Sequence, residues 1–150
     1  MRTTAKADYA VRAAVELAAA GDLLTAEQIA QAQSIPVNFL ENILRDLRRA
    51  GIVESRRGQA GGYVLARPAP DISLADVIRA VEGPLANVRG VSADALVYRG
   101  SAAKLRDVWV ALRASIRSVL EQVTLEDVAR GELPPNVEEL TRDSDAWLRR

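Results

Sequence analysis

The sequence predicts a mainly α-helical fold with one small β-hairpin, and three observations lead to this prediction. Residues 25–51 contain a short capped segment, a brief connection and a strongly amphipathic segment with apolar residues at helical spacing. Residues 52–66 follow as two short strand-like runs around a glycine-rich turn. Residues 101–123 then carry a long apolar repeat. This order predicts a winged helix-turn-helix domain plus a long C-terminal dimerisation helix.

The first predicted helix covers residues 5–20 and has an inner face of small side chains, which permits close packing against other helices. Lys6 and Tyr9 lie near its start. Two interpretations of this pair stay open. The side chains either contact DNA phosphates or are a solvated lysine and a half-buried tyrosine.

The second and third helices form the predicted helix-turn-helix. Thr25 and Gln28 make a capping box that begins the second helix, and Thr25 is also assigned to the DNA-contacting set. Residues 31–35 supply the turn. Pro36 fits the first turn of the third helix, and Gly51 fits its end because a left-handed residue there favours glycine. The inward stripe of the third helix is Leu40, Ile43, Leu44 and Leu47.

The opposite face of the third helix carries amides, guanidinium groups and one carboxylate. These groups read base edges and contact phosphates in a major groove. Taken alone, the pattern also fits an ordinary amphipathic surface helix. The residues assigned to DNA on this face are Asn38, Glu41, Asn42, Arg45 and Arg49.

The predicted wing consists of strands at residues 52–57 and 62–66, joined by a turn at residues 58–61. An arginine at its tip can enter a minor groove, where the potential is most negative. Residues 45–67 hold six arginines against two acidic residues, a local net charge of +4 in a chain whose net charge is zero. Such a focused patch is typical of a nucleic-acid-binding surface. The wing residues assigned to DNA are Arg56, Arg57, Gly58 and Gln59.

The composition excludes several classes of function. The 150 residues include no cysteine and no histidine, which removes disulfides, thiol nucleophiles, histidine-based triads, Cys/His zinc sites and thiolate-ligated clusters. The carboxylates form no recognisable acid–base pair. We therefore expect neither an enzyme nor a bound metal or cofactor. Without an apolar run near 18 residues or an apolar leader, we expect a cytoplasmic protein.

A further helix over residues 74–82, capped by Ser73, ends the predicted DNA-binding domain of residues 1–83. Residues 84–100 lack a sustained period and are predicted to form a loop. Two interpretations of this loop stay open: a pocket for a small, anionic effector, or a plain connector. The candidate effector-binding residues are Asn87, Arg89, Asp94, Tyr98 and Arg99.

The third predicted segment, residues 101–131, comprises the long helix and a short capping helix that begins at Thr124. About 22 helical residues would span about 33 Å. The simplest way to bury such an apolar seam is to pack it against the same helix of a second copy, across a two-fold axis. The acidic tail, residues 132–150, is sparse in apolar residues, so docked and disordered states both stay open. The predicted dimer seam is Leu105, Val108, Trp109, Leu112, Ile116, Val119, Leu120 and Val123.

Five stretches of the chain together resemble a known family. They are residues 5–10, 38–41, 47–53, 57–68 and 72–84, and the last two are the most specific, RGQAGGYVLARP and ISLADVIRAVEGP. In order and spacing they resemble the Rrf2 (Rrf-two) family of winged helix-turn-helix regulators, which includes IscR, NsrR and CymR. The resemblance covers more than half of the chain.

The resemblance implies roles for particular positions. Asn38, Phe39 and Glu41 would reach bases, and Arg57 with Gly58 would enter the minor groove. Cluster-binding members draw their cysteine ligands from the region that matches residues 84–100, and this chain has none there, so the expected regulator works without an iron–sulfur cluster. It would be a homodimeric repressor reading a pseudo-palindromic operator in double-stranded DNA. The alternative is a winged-helix module that docks on proteins without specific DNA binding.

Overall fold

The computed structural model describes residues 3–149. Residues 1, 2 and 150, at the outer ends of the predicted segments 1–83 and 132–150, lie outside the described part. The described chain contains seven α-helices and one two-stranded antiparallel sheet, so the predicted mainly α fold with a small wing is confirmed. The elements are α1 (Ala5–Ala20), α2 (Ala26–Gln33), α3 (Val37–Arg49), β1 (Val53–Arg56), β2 (Gly62–Leu65), α4 (Leu74–Glu82), α5 (Leu105–Leu120), α6 (Leu125–Arg130) and α7 (Pro135–Arg142).

Most helix ends follow from local side-chain chemistry. Thr25, Ser73 and Thr124 each cap the helix that follows. The side-chain oxygen of each accepts a hydrogen bond from the backbone N–H of the third helical residue, and the side chain of that third residue accepts one from the backbone N–H of the capping residue. Gly51, at φ +73°, closes α3 in the left-handed conformation that glycine adopts at little cost. These ends confirm the predicted starts of α2, α4 and α6 and the predicted end of α3.

The core is built around α1, whose alanine face allows α3, α4 and α6 to approach closely. Ala10, Ala13 and Ala14 are fully buried, and the same cluster contains the entire inward stripe of α3. Because α3 buries its apolar face here, the opposite face is held towards solvent. The large side chains at the centre of this core are Leu17, Ile29, Leu40, Ile43, Leu44, Leu47, Ile72 and Leu125.

The short helix α6 returns to the winged domain instead of capping a separate dimerisation unit. Its approach is fixed by backbone hydrogen bonds from Leu74 N–H to the Val123 carbonyl at 2.9 Å and from Leu125 N–H to the Ile72 carbonyl at 3.0 Å. Leu125 is completely buried in the core shared with α1. Helix α6 therefore shares the core of the winged domain, although it was predicted to belong with the long helix in residues 101–131, and residues 84–122 connect α4 with α6.

Three predicted boundaries also need correction. Helix α2 continues to Gln33, so the turn before α3 is shorter than residues 31–35. The long helix α5 has 16 residues, which span about 24 Å at 1.5 Å per residue. It is shorter than the predicted residues 101–123 at both ends. Residues 100–102 form a 3₁₀ turn before it, and the chain after residue 120 turns back towards α4.

The acidic tail is ordered over most of its length. Helix α7 and a 3₁₀ turn at Ser144–Trp147 occupy the predicted segment 132–150, and Val137 is buried. The indole N–H of Trp147 donates to the Thr141 carbonyl at 2.6 Å and fastens the turn to the end of α7. None of the helices in residues 3–149 is long and apolar enough to cross a membrane.

Candidate nucleic-acid interface

The exposed face of α3 presents the predicted base-reading side chains. Phe39 is 64% exposed although it is a large apolar residue, and it lies among polar neighbours that are also exposed. An exposed aromatic side chain in a polar surface is suited to contact with a thymine methyl group. The structure brings together on this face Asn38, Phe39, Glu41, Asn42, Arg45 and Arg49.

Hydrogen bonds along α3 hold part of this face in a defined arrangement. The side-chain amide of Asn42 donates to the Asn38 carbonyl at 3.3 Å, and Arg45 Nη1 donates to Asn42 Oδ1 at 3.2 Å. These bonds connect residues three and four positions apart, which are neighbours on a helix surface. They restrict the rotamers of Asn42 and Arg45 before any ligand arrives.

The wing is tied to the start of α2 as well as to itself. Strands β1 and β2 pair in the register Arg56 with Gly62 and Val53 with Leu65. Tyr63 also exchanges two backbone hydrogen bonds with Leu24, at 3.0 and 2.7 Å. A side chain at position 62 would place its Cβ 2.6 Å from the Leu24 carbonyl oxygen, so this approach requires glycine. The wing is therefore fixed relative to the helix-turn-helix.

A groove of about 440 Å³ runs between the start of α2, the end of α3 and the wing. Arg56, Arg57, Gly58 and Gln59 are exposed at the tip, and Gly58 has φ +108°, which favours glycine in the turn. The side chains of Arg56 and Arg57 make no hydrogen bond or ion pair with any residue in 3–149. Both guanidinium groups are therefore available to DNA.

Arg48 is a part of this surface that the sequence assignment omitted. Its Nη1 donates to Ser55 Oγ at 3.2 Å, linking α3 to β1, and it lines the groove beside Arg56 and Arg57. The sequence contained the evidence for this position. Arg48 is one of the six arginines of the patch, and it lies seven positions after Glu41, close to the same helical face.

Lys6 and Tyr9 are engaged within the chain. The ammonium of Lys6 lies 2.8 Å from the Asp46 carboxylate, and this hydrogen bond is the main cause of a lowered Asp46 pKa, with contributions from Arg49 and Arg45. Tyr9 is half-buried, and the Arg12 guanidinium lies 4.9 Å from its ring centroid. Lys6 thus joins α1 to the recognition helix α3 and is about half exposed.

Thr25 lies at the groove, and Arg67 faces away from it. The hydroxyl of Thr25 accepts the capping hydrogen bond from Gln28 N–H at 3.2 Å, and the residue also lines the groove. Arg67 donates to the Asp71 carbonyl at 3.1 Å and lies 3.8 Å from Asp76. Three of the six arginines of the patch, Arg48, Arg56 and Arg57, therefore line the groove.

Only some side chains of the predicted dimer seam are exposed to solvent. Val108 and Leu112 are 54% and 41% exposed on α5, and Val110, which was not predicted, is also exposed. Val123 lies beyond the end of α5 and is buried in its own chain, so its assignment to the seam is wrong. The half-buried members are Leu105, Trp109, Ile116, Val119 and Leu120.

The predicted effector residues do not gather around one cavity in the described chain. Asp94 accepts hydrogen bonds from Ser92 and from Arg113 at 2.7 Å, and these two bonds, Ser92 first, lower the pKa of Asp94 to about 2. The Tyr98 hydroxyl accepts from the indole N–H of Trp109 at 3.0 Å. These contacts fasten the loop to α5. The remaining candidates, Asn87, Arg89 and Arg99, are exposed.

Comparison with known proteins decides the family. The family model Rrf2, described as an iron-dependent transcriptional regulator, matches residues 3–131. The chain belongs to the Rrf2 family. It is 53% identical over 145 residues to Rv1287 of Mycobacterium tuberculosis, which is provisionally named an HTH-type transcriptional regulator, covering 95% of this chain and 90% of that protein.

Two better-described Rrf2 relatives extend the comparison. The HTH-type transcriptional regulator IscR of Cereibacter sphaeroides is 36% identical over 141 residues, covering 90% of this chain and 91% of the relative. The solved structure of CymR, the global cysteine regulator of Bacillus subtilis, superposes with a TM-score of 0.74 at 32% identity, covering 87% of this chain and 98% of that one. Family and relatives are transcriptional regulators and not enzymes. This confirms the resemblance, the non-enzymatic prediction and the DNA-binding regulator class.

The residues present do not fit the iron that the family description implies. The full sequence has neither cysteine nor histidine, the ligands that hold iron–sulfur clusters. Within residues 3–149 no group of three histidine, cysteine, aspartate or glutamate residues could hold a metal ion. The loop region instead carries the Asp94–Arg113 and Tyr98–Trp109 contacts.

Proposed function

We propose that this Rrf2-family protein is a homodimeric repressor that reads a pseudo-palindromic operator in double-stranded DNA, in the cytoplasm and without an iron–sulfur cluster. One observation carries the proposal. Arg48 of α3 lines a common groove with the wing arginines Arg56 and Arg57, and the polar face of α3 lies on the same exposed helix. The Arg48–Ser55 hydrogen bond ties the wing to α3, and backbone pairing of Tyr63 with Leu24 ties it to the start of α2. That arrangement is suited to a major groove and the neighbouring minor groove read together.

The proposed roles follow from side-chain chemistry. Asn38, Asn42 and Glu41 present amides and a carboxylate to base edges, where a good bidentate contact contributes about 1–3 kcal/mol of discrimination. Arg57, at the tip of the wing, enters the minor groove. The remaining cations contact phosphates, which position the protein without reading sequence. The proposed phosphate contacts are Arg45, Arg48, Arg49 and Arg56.

The dimer is proposed from the position of α5. This helix lies in residues 84–122, the segment between α4 and α6 that we call the excursion. Val108, Val110 and Leu112 stay exposed because the winged domain does not cover them. A second copy across a two-fold axis would bury them and present two recognition helices. Half-sites about 34 Å apart, one turn of DNA, would then match the symmetry of the protein.

Capture of genomic DNA tests this proposal. Purified protein is incubated with fragmented genomic DNA of the source organism, and the retained fragments are sequenced. Arg57→Ala removes the proposed minor-groove contact. Arg67→Ala is the matched control, because it removes an arginine from the same segment that points away from the groove.

We expect a few sites that share one inverted repeat, retained by the parent and by Arg67→Ala but lost by Arg57→Ala. Equal retention by all three proteins would contradict the site assignment. If no sites are enriched and the protein also fails to bind heparin at low salt, the DNA-binding proposal fails. The alternative, docking on a protein partner through the winged helix, would then be pursued by affinity capture.

A further inference from the structure

A second candidate site lies at the N-terminal end of α1, whereas the wing packs near the C-terminal end of that helix. The first turn of α1, the end of α4, the start of the 84–100 loop and the last turns of α5 enclose a cavity of about 230 Å³. It is the point where the winged domain meets the excursion of residues 84–122. Side chains that define it are Ala7, Ile78, Glu82, Leu85, Ile116 and Leu120.

The cavity is lined mainly by apolar side chains, with one acidic group and the polar side chains of Thr3 and Asn87. Ile78, Leu85, Ile116 and Leu120 supply hydrocarbon walls, and the carboxylate of Glu82 lies at the edge. Glu82 accepts a hydrogen bond from the Thr4 hydroxyl through one oxygen, which leaves the other oxygen able to accept. Glu82 is also the last residue of α4, where the helix carbonyls add partial negative charge. A small molecule with a hydrocarbon body and one cationic donor matches these groups.

The same residues connect the cavity with the recognition helix α3. Thr4, the partner of Glu82, is the N-cap of α1 and accepts the Ala7 N–H at 3.1 Å. Ala7 is buried in the cavity wall, and its neighbour Lys6 holds Asp46 of α3 at 2.8 Å. A cation bound at the other oxygen of Glu82 would withdraw negative charge from the carboxylate and so weaken its hydrogen bond with Thr4. The first turn of α1 therefore responds to the occupant and contacts α3 directly.

We propose that this cavity binds a small organic cation, with its apolar body between α4 and α5 and its ammonium group on Glu82, and that occupancy changes operator affinity through the first turn of α1. The site replaces the five-residue effector pocket expected from the sequence and shares only Asn87 with it. The binding half of the proposal is independent of DNA. The regulatory half rests on the proposed function.

The binding half is tested on the full chain without DNA. Three probes share one hydrocarbon ring and differ in charge: cyclohexylamine, cyclohexanol and cyclohexanecarboxylate. Each is titrated while backbone amide resonances are followed by NMR. We expect saturable shifts around Ala7, Ile78 and Ile116 with the amine, and at least tenfold weaker binding of the other two. Equal binding of all three, shifts spread over the surface, or no shifts would overturn the site.

Two variants identify the groups responsible. Glu82→Gln should weaken binding of cyclohexylamine by about tenfold and leave that of cyclohexanol unchanged, whereas the matched control Glu139→Gln on α7 should change neither. Leu120→Phe should occupy the cavity and abolish binding of both probes. If Leu120→Phe does not fold, Glu82→Gln still decides the question, since unchanged amine binding in that variant would contradict the proposal.

The regulatory half is tested by measuring operator affinity with and without cyclohexylamine. Allosteric coupling is commonly 5- to 150-fold, so we expect the amine to change the operator Kd by about fivefold or more in the parent. In Lys6→Met the starting affinity differs, but the amine should no longer alter it. Amine binding without a change in operator Kd overturns the coupling alone. Absence of any operator refutes the proposed function while the NMR result still decides the site.

Discussion

Replacing Arg48 with alanine tests whether α3 and the wing make one continuous phosphate-binding surface. The side chain lines the groove, and its only hydrogen bond within residues 3–149 goes to Ser55 on an exposed surface. Its loss should therefore leave thermal stability nearly unchanged, since solvent-exposed polar contacts contribute little. The effect should appear in DNA binding.

The magnitude follows from counterion release. The logarithm of the binding constant falls with the logarithm of salt concentration with a slope of about −0.9 for each phosphate neutralised. A dimer loses two contacts in Arg48→Ala, so the slope should become shallower by about 1.8. Between 50 and 200 mM salt, the affinity of the parent should consequently fall roughly 12-fold more than that of the variant.

Fluorescence anisotropy of a labelled operator over a potassium chloride series measures this slope. Ser55→Ala is the matched control, because it removes the hydrogen bond and keeps the charge of Arg48. Its slope should equal that of the parent. An unchanged slope in Arg48→Ala would refute the phosphate contact. A loss of affinity in Ser55→Ala as large as in Arg48→Ala would show that Arg48 acts by positioning the wing.

Three further predictions concern stability and assembly. Leu125→Ala should lower the free energy of unfolding by about 2–5 kcal/mol in urea titrations, because Leu125 is fully buried in the shared core; a loss below 1 kcal/mol would mean that α6 is not part of that core. Val108→Glu combined with Leu112→Glu should convert the dimer to a monomer in sedimentation velocity, and a persistent dimer would move the interface elsewhere. The Asp94 pKa is lowered from 3.8 to about 2, so the Asp94–Arg113 pair stabilises the fold above pH 4 and is lost as the pH falls towards 2. Asp94→Asn should therefore lower Tm equally at pH 5 and pH 7, and a loss confined to pH 7 would contradict the lowered pKa.

The parts of the fold that the sequence predicts well are those with local signals. A capping box such as Thr25 with Gln28 spans one helical turn, and a left-handed glycine such as Gly51 acts at a single position. The leucine stripe of α3 determines which face is exposed, so the exposure of the side chains proposed to read bases could be predicted without coordinates.

Apart from helix boundaries and the omission of Arg48, the differences from the sequence predictions concern contacts between distant parts of the chain. Pairing of Ser73 with Thr124 brings α6 back to the core, and the ion pair of Lys6 with Asp46 joins two helices 40 positions apart. Such contacts depend on the tertiary arrangement and leave no periodic pattern. The sequence left docked and disordered states of residues 132–150 open for a similar reason, since the placement of α7 depends on burial of Val137 and on the Trp147 hydrogen bond.

The backbone pairing of Ser73 with Thr124, which places α6 in the core of the winged domain, has a consequence for how Rrf2-family regulators diversify. The excursion of residues 84–122 leaves the winged domain at the end of α4 and returns beside the start of the same helix, where Ser73 pairs with Thr124. It is thus an insertion whose length and content can change while both anchors stay in place, because each doubling of a loop adds only about 0.6 kcal/mol of closure cost. Exchange of the excursion between Rrf2 relatives should therefore leave the core of the winged domain intact, while it changes the exposed face of α5 and the cavity that α5 helps to line.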